Sequence, residues 1–78
     1  MKTAVLYTNG GLESDRTRQL LKSLGGEYLE YTLGTDFTER QFRAEFGEEA
    51  EYPQVSIGYE HIGGLKDTLH YFKERGLI

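Results

Sequence analysis

The sequence predicts a single α/β domain: a four-stranded mixed sheet flanked by three helices, in the order strand, helix, strand, helix, strand, strand, helix. Three observations carry that expectation. Short apolar or alternating runs take turns with helix-period segments. Glycine punctuates the junctions, ten times in 78 residues. A helix-length segment separates the first two strand candidates and only a tight turn separates the last two. The sheet therefore holds a parallel right-handed βαβ unit and an antiparallel hairpin, with helices covering both faces.

Each element has its own reason. Lys2 to Tyr7 opens with Ala4-Val5-Leu6, a continuous apolar run suited to a strand buried on both faces. Thr8-Asn9-Gly10-Gly11 is a loop, because Asn and Gly tolerate positive φ. A helix is expected from Ser14 or Asp15 to about Leu24, with Leu20, Leu21 and Leu24 as its apolar stripe and Gly25-Gly26 as its end. Glu27 to Leu33 alternates as a second strand, with Tyr28, Leu29, Tyr31 and Leu33 supplying bulk. Gly34-Thr35-Asp36 is a turn. Thr38-Glu39-Arg40-Gln41 is a capping box, so a second helix starts at Thr38, with Phe42 and Phe46 on one face and Gly47 at its end. Glu48 to Glu51 is a solvated acidic stretch. Tyr52 to Ile57 is a third strand opened by the only proline, a position strands tolerate. Gly58-Tyr59-Glu60 is the hairpin turn and His61-Ile62 the return strand. Gly63-Gly64 breaks it, and Leu65 to Arg75 forms the last helix, with Leu65, Leu69 and Phe72 facing inward and Gly76 terminating it.

Composition narrows the function. A chain of this length buries roughly 60% of its unfolded surface, enough for one thin core. Only 37% of residues are apolar, and six Tyr and four Phe supply much of the volume. With no cysteine there is no disulfide scaffold, zinc ribbon, iron–sulfur site or thiol nucleophile. A net charge of −4 with dispersed Lys and Arg argues against nucleic acid and against an anionic membrane surface. No apolar run reaches membrane-spanning length and no charged-then-apolar leader is present, so a cytoplasmic location is expected.

Few residues invite a chemical reading. Asn9-Gly10-Gly11 lacks the Gly-Lys-Ser/Thr ending of a phosphate cradle and reads as a plain turn. His61 and His70 lie on different elements with no matching ligand cluster, which favours hairpin and surface roles over metal or base roles. Ser14 reads as a helix N-cap rather than a nucleophile. Asp67 suits the positive end of its helix. Tyr52 and Tyr59 are candidates for a binding patch.

Beyond these single residues, the stretch Tyr52-Pro53-Gln54-Val55-Ser56-Ile57-Gly58-Tyr59-Glu60-His61-Ile62-Gly63-Gly64-Leu65-Lys66-Asp67 resembles the glutaredoxin segment that reads Thr-Val-Pro-Gln, a strand, His-Ile-Gly-Gly and an Asp shortly after. Ala4-Val5-Leu6-Tyr7-Thr8 and Leu20-Leu21 fit the same pattern, so the likeness runs over nearly the whole chain. It implies a thioredoxin-like (glutaredoxin) fold. It also implies glutathione-disulfide oxidoreductase activity in cell redox homeostasis and electron transport. Glutaredoxins carry a Cys-Pro-Tyr-Cys or single-Cys motif at the first helix. The matching positions here are Gly11, Leu12, Glu13 and Ser14, or Leu12 through Asp15 in the alternative register. Neither contains a thiol, so the motif is degenerate and the expected chain is redox-inactive.

The resemblance also implies a ligand groove. The backbone of Tyr52, before a cis Pro53, would pair with the cysteinyl part of glutathione. Gly63 and Gly64 at the last helix N-terminus would receive a carboxylate, and Asp67 the γ-glutamyl amine. Asn9 stands where a basic residue would hold the glycyl carboxylate, and Lys66 stands where the family often has an acid. Pro53 and Gly63-Gly64 serve the fold equally well without a ligand. No cofactor is required; glutathione or an extended peptide or protein is the expected partner of an expected monomer. Two functions stay open: a binding module that keeps the groove, and a structural or protein-interaction domain that keeps only the scaffold. An enzyme of non-thiol chemistry finds no nucleophile, base and orienter to assemble.

Overall fold

The computed structural model describes residues 3–23 and 27–76. Within them the chain runs β1 (Ala4–Thr8), α1 (Leu12–Ser23), β2 (Tyr28–Thr32), α2 (Glu39–Phe46), β3 (Gln54–Ile57), β4 (Glu60–Gly63) and α3 (Leu65–Glu74). The sheet order is β2-β1-β3-β4. β1 and β2 are parallel, with Ala4 opposite Tyr28 and Thr8 opposite Thr32. β3 runs antiparallel to β1 and to β4, with Leu6 opposite Val55. This is the mixed sheet and element order that the sequence predicts.

The pleat of β1 divides the molecule into two layers. Ala4, Leu6 and Thr8 point to one face and are buried; Val5 and Tyr7 point to the other and are half-buried. On the first face Ala4, Leu6, Val55 and Ile57 meet Leu21 of α1 and Phe72 of α3, with Leu20, Tyr28, Ile62 and Tyr71 packed at the edge. The hydroxyls of the buried Thr17 and Thr68 donate to the carbonyls of Glu13 (2.8 Å) and Gly64 (2.7 Å) on their own helices. Each is satisfied locally, so α1 and α3 can pack closely without a polar cost. On the second face α2 lies over Tyr7, with Phe46 4.9 Å from Tyr7 and 4.9 Å from His61. Helices thus cover both faces, but the α2 side is covered by eight helical residues alone.

The capping box at Thr38 is formed: Gln41 N–H donates to Thr38 Oγ1 (3.2 Å) and Thr38 N–H donates to Gln41 Oε1 (2.8 Å). Gly47 closes α2 at φ +105°, and its N–H donates to Arg43 O. The acidic stretch after it is drawn back by Arg43, whose guanidinium donates to the carbonyls of Glu48 and Ala50.

Several boundaries differ from expectation. α1 begins at Leu12, not at Ser14 or Asp15. The carbonyl of Gly11 accepts from Asp15 N–H (3.2 Å), while Asn9 Oδ1 accepts from Gly11 N–H (3.0 Å). Capping therefore falls on the loop, and Ser14 is not an N-cap. It lies within the first helical turn, on the stripe with Thr17 and Leu21, fully buried. Leu69 does not face inward: it is 40% exposed, because the buried stripe of α3 runs through Thr68 and Phe72. β3 starts at Gln54 rather than Tyr52, β4 at Glu60 rather than His61, and β2 spans Tyr28–Thr32 only. The expected roles of Lys2, Leu24 and Gly25-Gly26 lie outside the described residues.

The two helical positions give opposite outcomes on truncation. Phe72→Ala, which empties the core beneath α3, is expected to destabilise by about 3–5 kcal/mol. Leu69→Ala is expected to cost under about 1 kcal/mol. Urea unfolding midpoints at constant slope measure both.

Candidate functional site

A groove of about 390 Å³ opens where the first turn of α1, the segment before β3 and the start of α3 converge. Its lining includes Glu13, Tyr52, Pro53, Gln54, Gly64 and Asp67. The structure therefore brings together four of the expected ligand residues: Tyr52, Pro53, Gly64 and Asp67.

Tyr52 offers its backbone, not its ring. The Tyr52–Pro53 peptide bond is cis, as expected. Among the described residues, neither the N–H nor the carbonyl of Tyr52 makes a hydrogen bond. The ring instead stacks on Phe42 at 4.1 Å and 19°, and its hydroxyl donates to Glu39 Oε2 (3.1 Å). Burial, and then this contact with Glu39, hold the phenol pKa above its ordinary value. Anchored by its side chain, Tyr52 leaves an unpaired strand-like edge, the feature by which an extended peptide adds to a sheet.

Gln54 holds this segment from the other side. Its Nε2 donates to the carbonyl of Glu51 (2.7 Å), and its Oε1 lies 2.6 Å from His61 Nε2. With the amide so oriented, His61 donates from Nε2. His61 thus serves the hairpin and the loop. No group of three or more His, Cys, Asp or Glu among the described residues is placed to hold a metal ion.

The glycine pair is built into the start of α3. Gly64 is the N-cap residue and its helix has no side-chain cap, which leaves first-turn N–H groups without a side-chain acceptor. A Cβ at Gly64 would stand 3.5 Å from Pro53 O. Gly63 is buried at φ +126°, and a Cβ there would overlap the Asp67 carboxylate and lie 3.0 Å from Asp67 Cβ. Asp67 folds back over Gly63 in the space that the missing side chain leaves.

The remaining expected positions fall elsewhere. Asn9 is exposed, with its side-chain oxygen engaged by Gly11, and it does not line the groove. Of the degenerate motif, Gly11 is half-buried, Leu12 is 67% exposed, Glu13 lines the groove and Ser14 is fully buried. Ser14 Oγ is the one buried side-chain polar atom without a hydrogen-bond partner among the described residues. It has neither access nor a base, so it cannot act as a nucleophile. The groove is also acidic: Glu13, Glu49, Glu51 and Asp67 face one Lys66.

Sequence reasoning missed Gln54 and the aromatic sheet beneath α2. The Phe42/Phe46 spacing signalled part of that sheet. The stacking of Tyr52 on Phe42 brings together residues ten apart, and no local pattern encodes it.

The chain matches no protein-family model and no curated protein sequence. Among solved structures it superposes on the solution structure of glutaredoxin from Brucella melitensis with a TM-score of 0.73 and 30% identity, over 97% of this chain and 83% of that one. It is similar to a monomeric truncated mutant of Trypanosoma brucei 1-C-Grx1 (TM-score 0.71, 28% identity, 94% and 71% covered). It also resembles glutaredoxin 1 from Francisella tularensis, in complex with cacodylate (TM-score 0.72, 20% identity, 99% and 98% covered), a likeness of fold. The fold and groove define a thioredoxin-like α/β protein, and the chain belongs to the glutaredoxin family, as a member without cysteine.

Gly63→Ala tests the packing at the groove. Positive φ and the overlap with Asp67 together are expected to cost about 1–3 kcal/mol or more. In Asp67→Ala the overlap disappears, so the double variant should recover part of that loss. A double-mutant cycle read by denaturant unfolding measures the coupling.

Proposed function

We propose that this chain is a glutaredoxin that binds without exchanging: it holds an extended cysteinyl peptide, glutathione being the smallest, and performs no thiol–disulfide chemistry. The observation that carries this is a groove assembled from Tyr52, Pro53, Gly64 and Asp67 in a chain with no cysteine. The family reaction needs a thiolate to attack a disulfide sulfur. Gly11 has no side chain, and the Ser14 hydroxyl is buried. What survives is recognition: the free edge at Tyr52 for the peptide backbone, the α3 N-terminus for a carboxylate and Asp67 for an ammonium group. On this reading the protein acts as a cytoplasmic monomer, with no nucleic-acid or membrane partner and no required cofactor. It contributes to redox homeostasis by holding thiol peptides rather than by electron transport.

A second reading, a structural or protein-interaction domain, draws on one observation. No basic side chain stands at the Asn9 position for a glycyl carboxylate: Asn9 is tied to Gly11, and the lining carries four carboxylates to the single ammonium group of Lys66.

Titration of labelled protein with reduced and oxidised glutathione, followed by NMR, separates the two readings. Saturable shifts at Tyr52, Val55, Gly64 and Asp67, lost in Asp67→Ala, support the groove. No shift at millimolar ligand supports the scaffold alone. Hydroxyethyl disulfide turnover by the pure chain is expected to stay at background, and turnover above it would overturn the absence of exchange.

A thiol can be put back at one position. Gly11 has no positive φ, and an added Cβ meets only the exposed Asn9 amide, at 3.1 Å. In Gly11→Cys the thiol stands at the N-terminus of α1, where the helix dipole favours the thiolate. Its pKa is expected below the free-cysteine value of about 8.5, as read from the pH dependence of alkylation.

A further inference from the structure

A second cleft lies on the opposite, α2 side of the sheet and shares no lining residue with the groove. It is an open cavity of about 580 Å³ between α2 and the β1–β2 pair. Three rings form its wall. Tyr7 and Tyr31 are cross-strand partners, with centroids 5.5 Å apart and planes inclined at 50°. Phe37 lies 5.6 Å from Tyr7 at 72°. Inclined in this way the rings make a corner rather than a flat stack. They are backed by Phe46 against Tyr7 and by Phe42 against Phe37, so the corner is held by packing. Tyr31 is 37% exposed, and the wall is open to solvent.

Two carboxylates complete the cleft, Asp36 and Glu45, and among the described residues no Lys, Arg or His lines it. Among the described residues neither carboxylate has an ion-pair partner. Arg43, on the same helix as Glu45, is already held by Glu39 at 2.7 Å and by the carbonyls of Glu48 and Ala50. Asp36 is fixed at the rim because its Oδ2 accepts from Thr32 N–H (2.8 Å). Burial and the nearby Glu45 raise the Tyr7 pKa, so its ring stays a neutral phenol.

Aromatic faces attract a cation through the ring quadrupole, and uncompensated carboxylates add to that attraction. An alkylated ammonium gains most here. It is weakly hydrated, presents methyl groups to the rings and needs no fixed set of acceptors. We propose that this cleft binds a quaternary ammonium group against Tyr7, Tyr31 and Phe37, with Asp36 and Glu45 supplying the counter-charge. The site is independent of the peptide groove, and its failure would leave that groove untouched.

The test compares choline with its neutral isostere 3,3-dimethyl-1-butanol, by NMR titration of the labelled full chain. Choline is expected to shift Tyr7, Phe37 and Glu45 saturably, and the alcohol to bind about tenfold more weakly, because it keeps the shape and loses the charge. Glu45→Gln, an exposed residue with no partner, should weaken choline about threefold while leaving the rest of the spectrum unchanged. Tyr31→Leu should weaken it by a similar factor. A short peptide carrying trimethyllysine separates the sources. Tighter binding than choline places the head group on a chain, and equal or weaker binding places it in a free molecule. The proposal is overturned if the alcohol binds as well as choline, if choline gives no shift at tens of millimolar, or if neither variant changes the choline isotherm.

Discussion

Leu6 and Val55 sit side by side at the centre of the sheet, and neither shows any surface to solvent. Keeping them dry requires a neighbour on every side. β2 and β4 flank the pair of strands, α1 and α3 cap one face, and α2 with its aromatic residues covers the other. Because β1 alternates, the chain that buries Leu6 against α1 and α3 must also present Val5 and Tyr7 to the opposite layer. The pleat therefore sets both the aliphatic core and the aromatic one. The second face is the less complete of the two, since a single short helix cannot cover four strands. The cleft beside Tyr7 and Tyr31 is the part left uncovered.

The groove owes its shape to that framework rather than to residues 11–14. Tyr52 is positioned by stacking on Phe42, and the loop before Pro53 is positioned by Gln54, which bridges Glu51 and His61. The start of α3 is positioned by Thr68 and Phe72 in the core. None of these contacts involves residues 11–14, so the groove forms without a thiol there. Ser14 keeps a different kind of mark. A fully buried hydroxyl without a partner normally costs about 1–3 kcal/mol, which means its place in the α1 stripe is set by size and periodicity and not by a polar contact.

Charge distinguishes the two faces from a general acidic surface. Several carboxylates are neutralised: Arg18 bridges Asp15 and Glu30, and Arg43 holds Glu39. The bonds to Glu30, and then to Asp15, push the Arg18 pKa further up, so the guanidinium keeps its charge. Among the described residues the carboxylates lining the groove and the aromatic cleft have no ion-pair partner. The net charge is thus concentrated where the surface is concave, and there a low-dielectric wall makes it count for more.

Much of this was legible in the sequence. Element order and sheet type follow from period and glycine placement. The Thr38 capping box was readable because its partners are three residues apart. The lack of a thiol is read from composition alone, and Tyr52, Pro53, Gly64 and Asp67, expected together from the family pattern, line one groove. The sequence could not show that Leu69 faces solvent while Thr68 is buried, because hydrophobicity does not reveal which stripe of a helix meets its neighbour. Nor could it show that Ser14 lies inside α1, since a small polar residue fits a cap and a tight helix contact equally well. Stacking of Tyr52 on Phe42, the Gln54 bridge and the corner of Tyr7, Tyr31 and Phe37 join residues from separate elements. Local periodicity determines what each segment is; only packing the segments against one sheet decides which side chains meet.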